Sequence, residues 1–311
     1  MFPILVILGP TAVGKTEIAI QLAERMDGEI VSADSRMFYR GMDIGTAKPS
    51  LQYRNRVPHH LIDITEPDQP WSLATFQDSA HQAMIEIHAR GHLPMLVGGT
   101  GQYLRAVIQD WQLPGVEPDW RLREALDDWA GEIGSAGLHR RLGVIDPQAA
   151  SSIEPRNLRR SIRALEVIFT TGIRFSEQRR SGSSRYQVLQ VGLNMPRAVL
   201  YERIDRRIES MLESGLVDEV KNLLERGFPP DLPVFSAIGY RQIIAYLQGS
   251  LALSEAEMGI KRTTRVLVRR QANWFKADDP GIHWFDLSTT GVDSIVEFIR
   301  SWLTLNPTAV I

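Results

Sequence analysis

Gly9, Pro10, Thr11, Ala12, Val13, Gly14, Lys15 and Thr16 meet the spacing GxxxxGK[ST] without exception. That spacing builds a phosphate-binding loop. Its glycines let the backbone curl so that the amides point inward, and the N-terminus of the following helix adds partial positive charge. Lys15 supplies a point charge to the terminal phosphates, and the Thr16 hydroxyl is the usual Mg²⁺ ligand. Nucleoside triphosphates are the common occupants, which would make the chain nucleotide-binding or ATP-binding. A prenyl diphosphate presents the same two-phosphate end. The loop alone therefore leaves kinase, ATPase and diphosphate-releasing transferase open.

Two further groups fall where they could act beside it. Asp34 follows an apolar run and should emerge at the same sheet edge as the loop, where a carboxylate can serve as general base. An Asp-Ser pair is also ordinary turn chemistry. Thr100, in Gly98-Gly99-Thr100-Gly101, ends another apolar run and could orient an amine or a phosphate oxygen, although a cap or turn role is the more ordinary one there. The histidines show no zinc-site spacing and read as structural.

Arginines form two stripes. Arg156, Arg159, Arg160 and Arg163 share one face if their segment is helical, with Glu166 alone as a carboxylate within a turn. Like charges so placed suit a polyanion such as a nucleic-acid backbone, the alternative being a solvated face paired with distant acids. Arg262, Arg265, Arg269 and Arg270 form the second stripe, followed by Trp274 and Phe275, a combination suited to phosphates and unpaired bases, although aromatics so placed are more often core residues. Arg203 and Arg207 lie one turn apart, where either could meet a leaving phosphate unless Glu202 or Asp205 pairs with it.

The elements that must position these groups are legible in outline. Short apolar runs at 3–8, 29–33 and 93–97 read as buried strands, and 186–193 and 282–286 as two more. Helical spacing covers 15–26, 73–90, 102–110, 197–226, 254–275 and 292–303. The alternation predicts an α/β fold: a P-loop NTPase-like parallel sheet flanked by helices. Pro114, Gly115 and Pro118 mark a break, after which 120–180 reads as helical with no strand. The expected organisation is a catalytic core of 1–112 and 185–311, interrupted by an all-helical insertion domain at 113–184.

The 311 residues contain no cysteine, which excludes disulfides, thiolate metal sites and cysteine nucleophiles. A formal net charge of −2 excludes a globally basic polyanion binder. No apolar run approaches membrane-spanning length, and the N-terminal one meets the glycine loop too soon for a signal peptide. The chain reads as soluble and cytoplasmic.

Taken together, GPTAVGKT at 9–16, ADS at 33–35, YRGMDIGTAKP at 39–49, PHHLIDI at 58–64, LVGGTGQYLRA at 96–106, NLRRSIRALE at 157–166, RI-x-x-R at 203–207, IGYRQ at 238–242 and RRQANWF at 269–275 resemble the tRNA dimethylallyltransferases, or isopentenyl-tRNA transferases. The resemblance runs from about residue 4 to residue 286. It implies a prenyltransferase that moves a dimethylallyl group from dimethylallyl diphosphate to N6 of the adenosine 3′ of the anticodon, releasing diphosphate. It implies that the loop at 9–16 holds that diphosphate with Mg²⁺, that Asp34 takes a proton from N6, that Thr100 orients the amine and that Arg207 stabilises the leaving group. By the same resemblance, tRNA contacts fall on Asp34, Ser35, Arg36 and Met37, on Arg159, Arg160, Ser161, Ile162 and Arg163 of the insertion, and on Arg265, Arg269, Arg270 and Gln271. The expected partners are the tRNA anticodon stem-loop and dimethylallyl diphosphate, with no membrane, and the enzyme is expected to act as a monomer.

Overall fold

The computed structural model describes residues 1–113, 118–178, 180–182 and 184–306. Pro114 and Gly115, which mark the expected break, lie outside the described residues. The chain packs as two units, one formed by 1–108 with 184–311, the other by 109–183.

In the first unit the chain opens with β1 (Phe2–Leu8), α1 (Lys15–Met26), β2 (Gly28–Ser32), α2 (Leu51–Arg56) and β3 (His59–His60). It continues through α3 (Leu73–Ala89), β4 (Leu93–Gly98) and α4 (Gly101–Ile108). The second unit holds β5 (Trp111–Gln112), α5 (Trp120–Ile133), α6 (Ser135–Ile145), α7 (Pro147–Ser152), α8 (Leu158–Thr171), α9 (Phe175–Gln178) and β6 (Arg180–Ser181). The first unit resumes with β7 (Tyr186–Asn194), α10 (Arg197–Glu213), α11 (Leu216–Glu225), α12 (Tyr240–Leu247), α13 (Leu253–Ala272), β8 (Ile282–Asp286) and α14 (Val292–Leu305).

Six strands form one parallel sheet in the order β3-β2-β4-β1-β7-β8. The central strand explains why both faces are covered. Alternate residues of β1 point to opposite faces. Leu5 and Ile7 join a cluster with α1, α10, α11, α12 and α13, while Ile4, Val6 and Leu8 join another with α3 and α4. All five are buried, so β1 reads as a continuous apolar run rather than an alternating one. Parallel strands deliver their carboxyl ends to one edge. The loops after β1, β2 and β4 therefore meet there.

Three expectations change. The stretch 197–226 is two helices rather than one. Gly215, at φ 99°, ends α10 and starts α11, because a left-handed residue cannot continue the helix. The second unit is not wholly helical, since β5 pairs with β6 in a two-residue antiparallel ribbon. The strand β3 and the short helices α2 and α12 add elements too short for periodicity to register.

In the second unit, Leu126, Leu138, Leu142, Ile162, Leu165 and Ile168 build the core. Glu166 is fully buried among them. It accepts hydrogen bonds from Arg123 at 2.9 and 3.0 Å, from Arg163 at 2.7 Å and from the Asp119 amide at 2.8 Å. Burial alone would raise its pKa, but the bonds from Arg123 and Arg163 outweigh it and hold the carboxyl below the usual range. One member of the expected arginine stripe is thus spent inside the fold. No helix among the described residues is long and apolar enough to cross a membrane.

Candidate active site

The loop after β1 takes its shape from two glycines. Gly9 has φ 146° and Gly14 φ 107°. A Cβ on Gly9 would lie 2.3 Å from the Leu193 carbonyl oxygen, so only glycine lets the loop pass against β7. No side chain caps α1, whose first residue is Lys15. Its leading amides remain turned to the loop, as an anion site requires. The Lys15 ammonium donates to the Gly9 and Pro10 carbonyls at 3.1 and 2.8 Å.

Around this loop lies a cleft of about 440 Å³. Thr11, Ala12, Asp34, Thr100 and Arg207 line it. Apolar side chains line it too: Ile204, Ile208 and Met211 from α10, Leu216 from α11, and Ile260 and Leu267 from α13. The cleft therefore combines charged and polar groups with hydrocarbon.

The charges in it interact. Burial pushes Lys15 down to about 8, with Asp34 pulling it up and Arg207 adding to the fall. Burial also lowers Arg207, opposed by Asp34 and reinforced by Arg203. Glu202 and Asp205, the acids that could have occupied Arg203 or Arg207, pair instead with Arg206 and Arg265. Among the described residues no carboxylate lies within ion-pair distance of Arg207. An anion entering the cleft thus meets Arg207, with Lys15 in the adjoining cavity and Asp34 bordering both.

That arrangement gives a signed pH effect. A bound anion favours the charged form of Lys15 and raises its pKa. A diphosphate monoester is expected to bind more weakly as pH rises through about 8, and its binding just above that pH should take up a proton. Calorimetry in buffers of different ionisation enthalpy measures the uptake; no uptake would mean that Lys15 does not face the anion.

Asp34 does both things that its position allows. One carboxylate oxygen, Oδ1, accepts from the Arg36 amide at 3.0 Å, which is the turn role, while the residue still lines the cleft. Thr100 caps the start of α4 through its carbonyl, which accepts from Tyr103 and Leu104. Arg36 reaches the Val234 carbonyl at 3.2 Å and the Ser236 hydroxyl at 3.4 Å. Thr16 and Met37 lie in a small adjoining cavity with Lys15, Ser32, Asp34 and His59.

The family model described as IPP transferase matches residues 37–278. A tRNA dimethylallyltransferase of Roseiflexus sp. (strain RS-1) is 54% identical over 276 residues, which is 89% of this chain and 90% of that one. The chain belongs to the tRNA dimethylallyltransferase family. A tRNA dimethylallyltransferase of Thermomicrobium roseum is 49% identical over 93% of this chain and 88% of its own. The crystal structure of the full-length tRNA isopentenylpyrophosphate transferase of Bacillus halodurans superposes with a TM-score of 0.72 at 43% identity, covering 98% of this chain and 96% of that one. A eukaryotic dimethylallyltransferase whose crystal structures capture it acting on tRNA reaches 0.84 at 26% identity, covering all of this chain and 81% of its own. The phosphate loop precedes the residues that the family model matches, while the solved structures match nearly the whole chain.

Within this dimethylallyltransferase-family chain, the expected site residues divide. Asp34, Ser35, Arg36, Thr100, Arg207, Arg270 and Gln271 gather on one cleft. Arg159 and Arg160 are exposed on α8, whereas Ser161 and Ile162 are 0% and 8% exposed. Those two face the core of their unit, and direct side-chain contact with RNA is corrected to a packing role. Arg163 is half-buried against Glu166. Arg269 is exposed, and Arg265 is held by Asp205 over the Tyr201 ring. Gln271 is 6% exposed and is committed to backbone partners. The apolar lining escaped sequence reasoning. Its residues come from three helices, and only the helical periodicity of 197–226 and 254–275 hinted at it.

His60 pairs with Glu29, and His59 Nδ1 lies 2.7 Å from the Val57 carbonyl, in keeping with structural roles. No cluster of three or more His, Cys, Asp or Glu suited to a metal occurs among the described residues.

Proposed function

We propose that the protein transfers a dimethylallyl group from dimethylallyl diphosphate to N6 of the adenosine 3′ of the anticodon in tRNA, releasing diphosphate. The observation that carries this reading is the mixed lining of the cleft, which brings residues of the phosphate loop, Asp34 and Arg207 together with apolar side chains of α10, α11 and α13. A five-carbon prenyl chain and its diphosphate combine the same two characters. The relatives are named tRNA dimethylallyltransferases, in agreement with this reading.

The chemistry follows from charge. N6 bonds to C1 of the prenyl group as the C1–O bond breaks, and the electron pair leaves with the diphosphate. The N6 proton passes to the Asp34 carboxylate. The Lys15 ammonium, the amides of the loop and Arg207 stabilise the growing negative charge in a partly water-excluded place. The Thr100 hydroxyl orients the amine. To arrive there the adenosine must leave its stack, at an unstacking cost of about a few kcal/mol.

Mg²⁺ fits the donor set in one way. The Thr16 hydroxyl at the start of α1 is a hard oxygen beside Lys15 and Asp34, and a Mg²⁺ ion prefers few protein ligands plus phosphate oxygens. When bound, the ion would neutralise leaving-group charge. A tRNA substrate supports a cytoplasmic site.

The test is purified protein with labelled dimethylallyl diphosphate and bulk tRNA. Label should enter tRNA at a single adenosine. ATP consumption without label in tRNA would instead favour a kinase of the same fold. A separate check concerns α8. Arg159 and Arg160 are the exposed pair that would face the RNA backbone. Replacing both by glutamine should weaken tRNA binding and reduce the slope of log K against log salt by about 1–2. An unchanged slope places that helix outside the interface.

A further inference from the structure

We propose that Gln271 is a positioning residue that sets the spacing between the phosphate loop and the Gly99–Thr100 turn, and that it does not read RNA. The proposal deepens the reading above and rests on it for its kinetic arm.

Three observations carry it. Gln271 lies near the end of α13 and is 6% exposed. Its side-chain oxygen accepts from the Thr11 amide at 2.9 Å, and its side-chain nitrogen donates to the Gly99 carbonyl at 2.9 Å. A Cβ on Gly99 would lie 2.6 Å from that nitrogen and 3.4 Å from the Lys15 ammonium nitrogen. The glycine thus admits the amide into a space that also borders Lys15.

The side chain fits this task chemically. A primary amide carries an acceptor and a donor on one rigid plane, and here each meets the opposite group on a different loop. One loop follows β1 and holds the diphosphate. The other follows β4 and leads into Thr100. The distance between leaving group and nucleophile is the distance between these two loops. The amide fixes it from a third element, the helix whose exposed arginines flank Gln271. Both ends are committed to backbone and the residue is 6% exposed, so its amide is turned away from a base. Asparagine, one methylene shorter, could not span both partners. Glutamate would keep the acceptor for Thr11 and set a carboxylate against the Gly99 carbonyl.

That last point yields a signature that a merely structural role would not produce. Burial and the facing Gly99 carbonyl raise the pKa of such a carboxyl, against the opposing pull of the Lys15 ammonium that borders the same space. Once protonated, it restores both bonds. The experiment compares wild type, Gln271→Met and Gln271→Glu, with thermal melting confirming that each is folded. Gln271→Met should lower kcat by about tenfold or more, the factor that about 1.4 kcal/mol of lost transition-state stabilisation represents, while tRNA affinity stays within about twofold. For Gln271→Glu, activity relative to wild type should climb about fivefold or more between about pH 8 and pH 6. Calorimetry with inorganic diphosphate supplies an arm that does not depend on transfer, and Gln271→Met should bind it more weakly.

Unchanged kcat with tRNA affinity lost in Gln271→Met would make Gln271 an RNA contact and overturn the proposal. A flat pH ratio for Gln271→Glu would also overturn it. If wild type itself transfers no label, the functional reading fails, and the diphosphate arm alone decides the positioning role: weaker binding by Gln271→Met supports it and equal binding overturns it.

Discussion

Asp34→Ala is expected to lower single-turnover transfer by about 10²–10⁴-fold, the range a positioned general base supplies, while tRNA affinity stays nearly unchanged. The expectation rests on geometry. Asp34 follows β2 at the carboxyl edge of the sheet and lines the cleft with Thr100 and Arg207. One oxygen is held by the Arg36 amide at 3.0 Å, which orients the carboxylate. A residue that takes a proton during bond formation acts in the transition state, so its loss should appear in kcat and kcat/KM together rather than in KM. A second effect follows from its neighbours. Asp34 is the one carboxylate credited with raising both Lys15 and Arg207. Removing it leaves two cations less compensated, and diphosphate should bind more tightly to Asp34→Ala than to wild type. Slow transfer with tighter diphosphate binding is the full expected pattern. Wild-type turnover would remove Asp34 from the chemistry. Weaker diphosphate binding would mean that the carboxylate organises the cradle instead of opposing its charge.

Arg207→Ala should lower transfer by about 10²–10³-fold, as losing one oxyanion-stabilising group does. Arg207 lies within the apolar surroundings of α10, where burial opposes its charge. Its neighbouring acids are committed to Arg206 and Arg265. A guanidinium kept in that setting is an electrostatic reservoir for a departing anion, because the low local dielectric strengthens its attraction to charge that develops during reaction. Arg207→Lys keeps the charge but loses the planar fork that grips two oxygens. It should recover part of the loss, with the remainder measuring the geometry. The measurements are single-turnover rate and calorimetric affinity for diphosphate. If Arg207→Ala alters only KM for tRNA, the residue belongs to the RNA side of the cleft.

Much of this site was legible because its signals are local. The phosphate loop is eight consecutive residues between an apolar run and a helical one. Asp34 and Thr100 each end an apolar run, and a parallel sheet sends all such ends to one edge. What sequence could not supply depends on contacts across long separations. Gln271 meets Thr11 across 260 positions and Gly99 across 172, and no periodicity records that. Beside the arginines of α13 it reads as part of their surface, whereas helical rotation turns it inward. Arg163 is a similar case. The i,i+3 spacing placed Glu166 near it, but only packing reveals a buried carboxylate that takes Arg123 as well. The break at Gly215 was available in principle, since a glycine in a long helical pattern can mark a left-handed stop, but apolar periodicity continues on both sides and conceals it. Strand β3, with two residues, is too short for any pattern.

The ribbon between β5 and β6 has a consequence for how the chain finds its fold. Trp111 pairs with Ser181 and Gln112 with Arg180, and the Gly182 amide donates to the Asp110 carbonyl at 3.1 Å. The two ends of the 109–183 unit are therefore clasped side by side. For the core, β7 must travel far along the chain to lie against β1, and closing so long a loop costs entropy that grows with its length. Once the inserted unit has folded on its own short-range contacts and shut its neck, the loop between α4 and β7 is effectively only a few residues long. The insertion then acts as a knot tied in a string, shortening the path that the central sheet has to close.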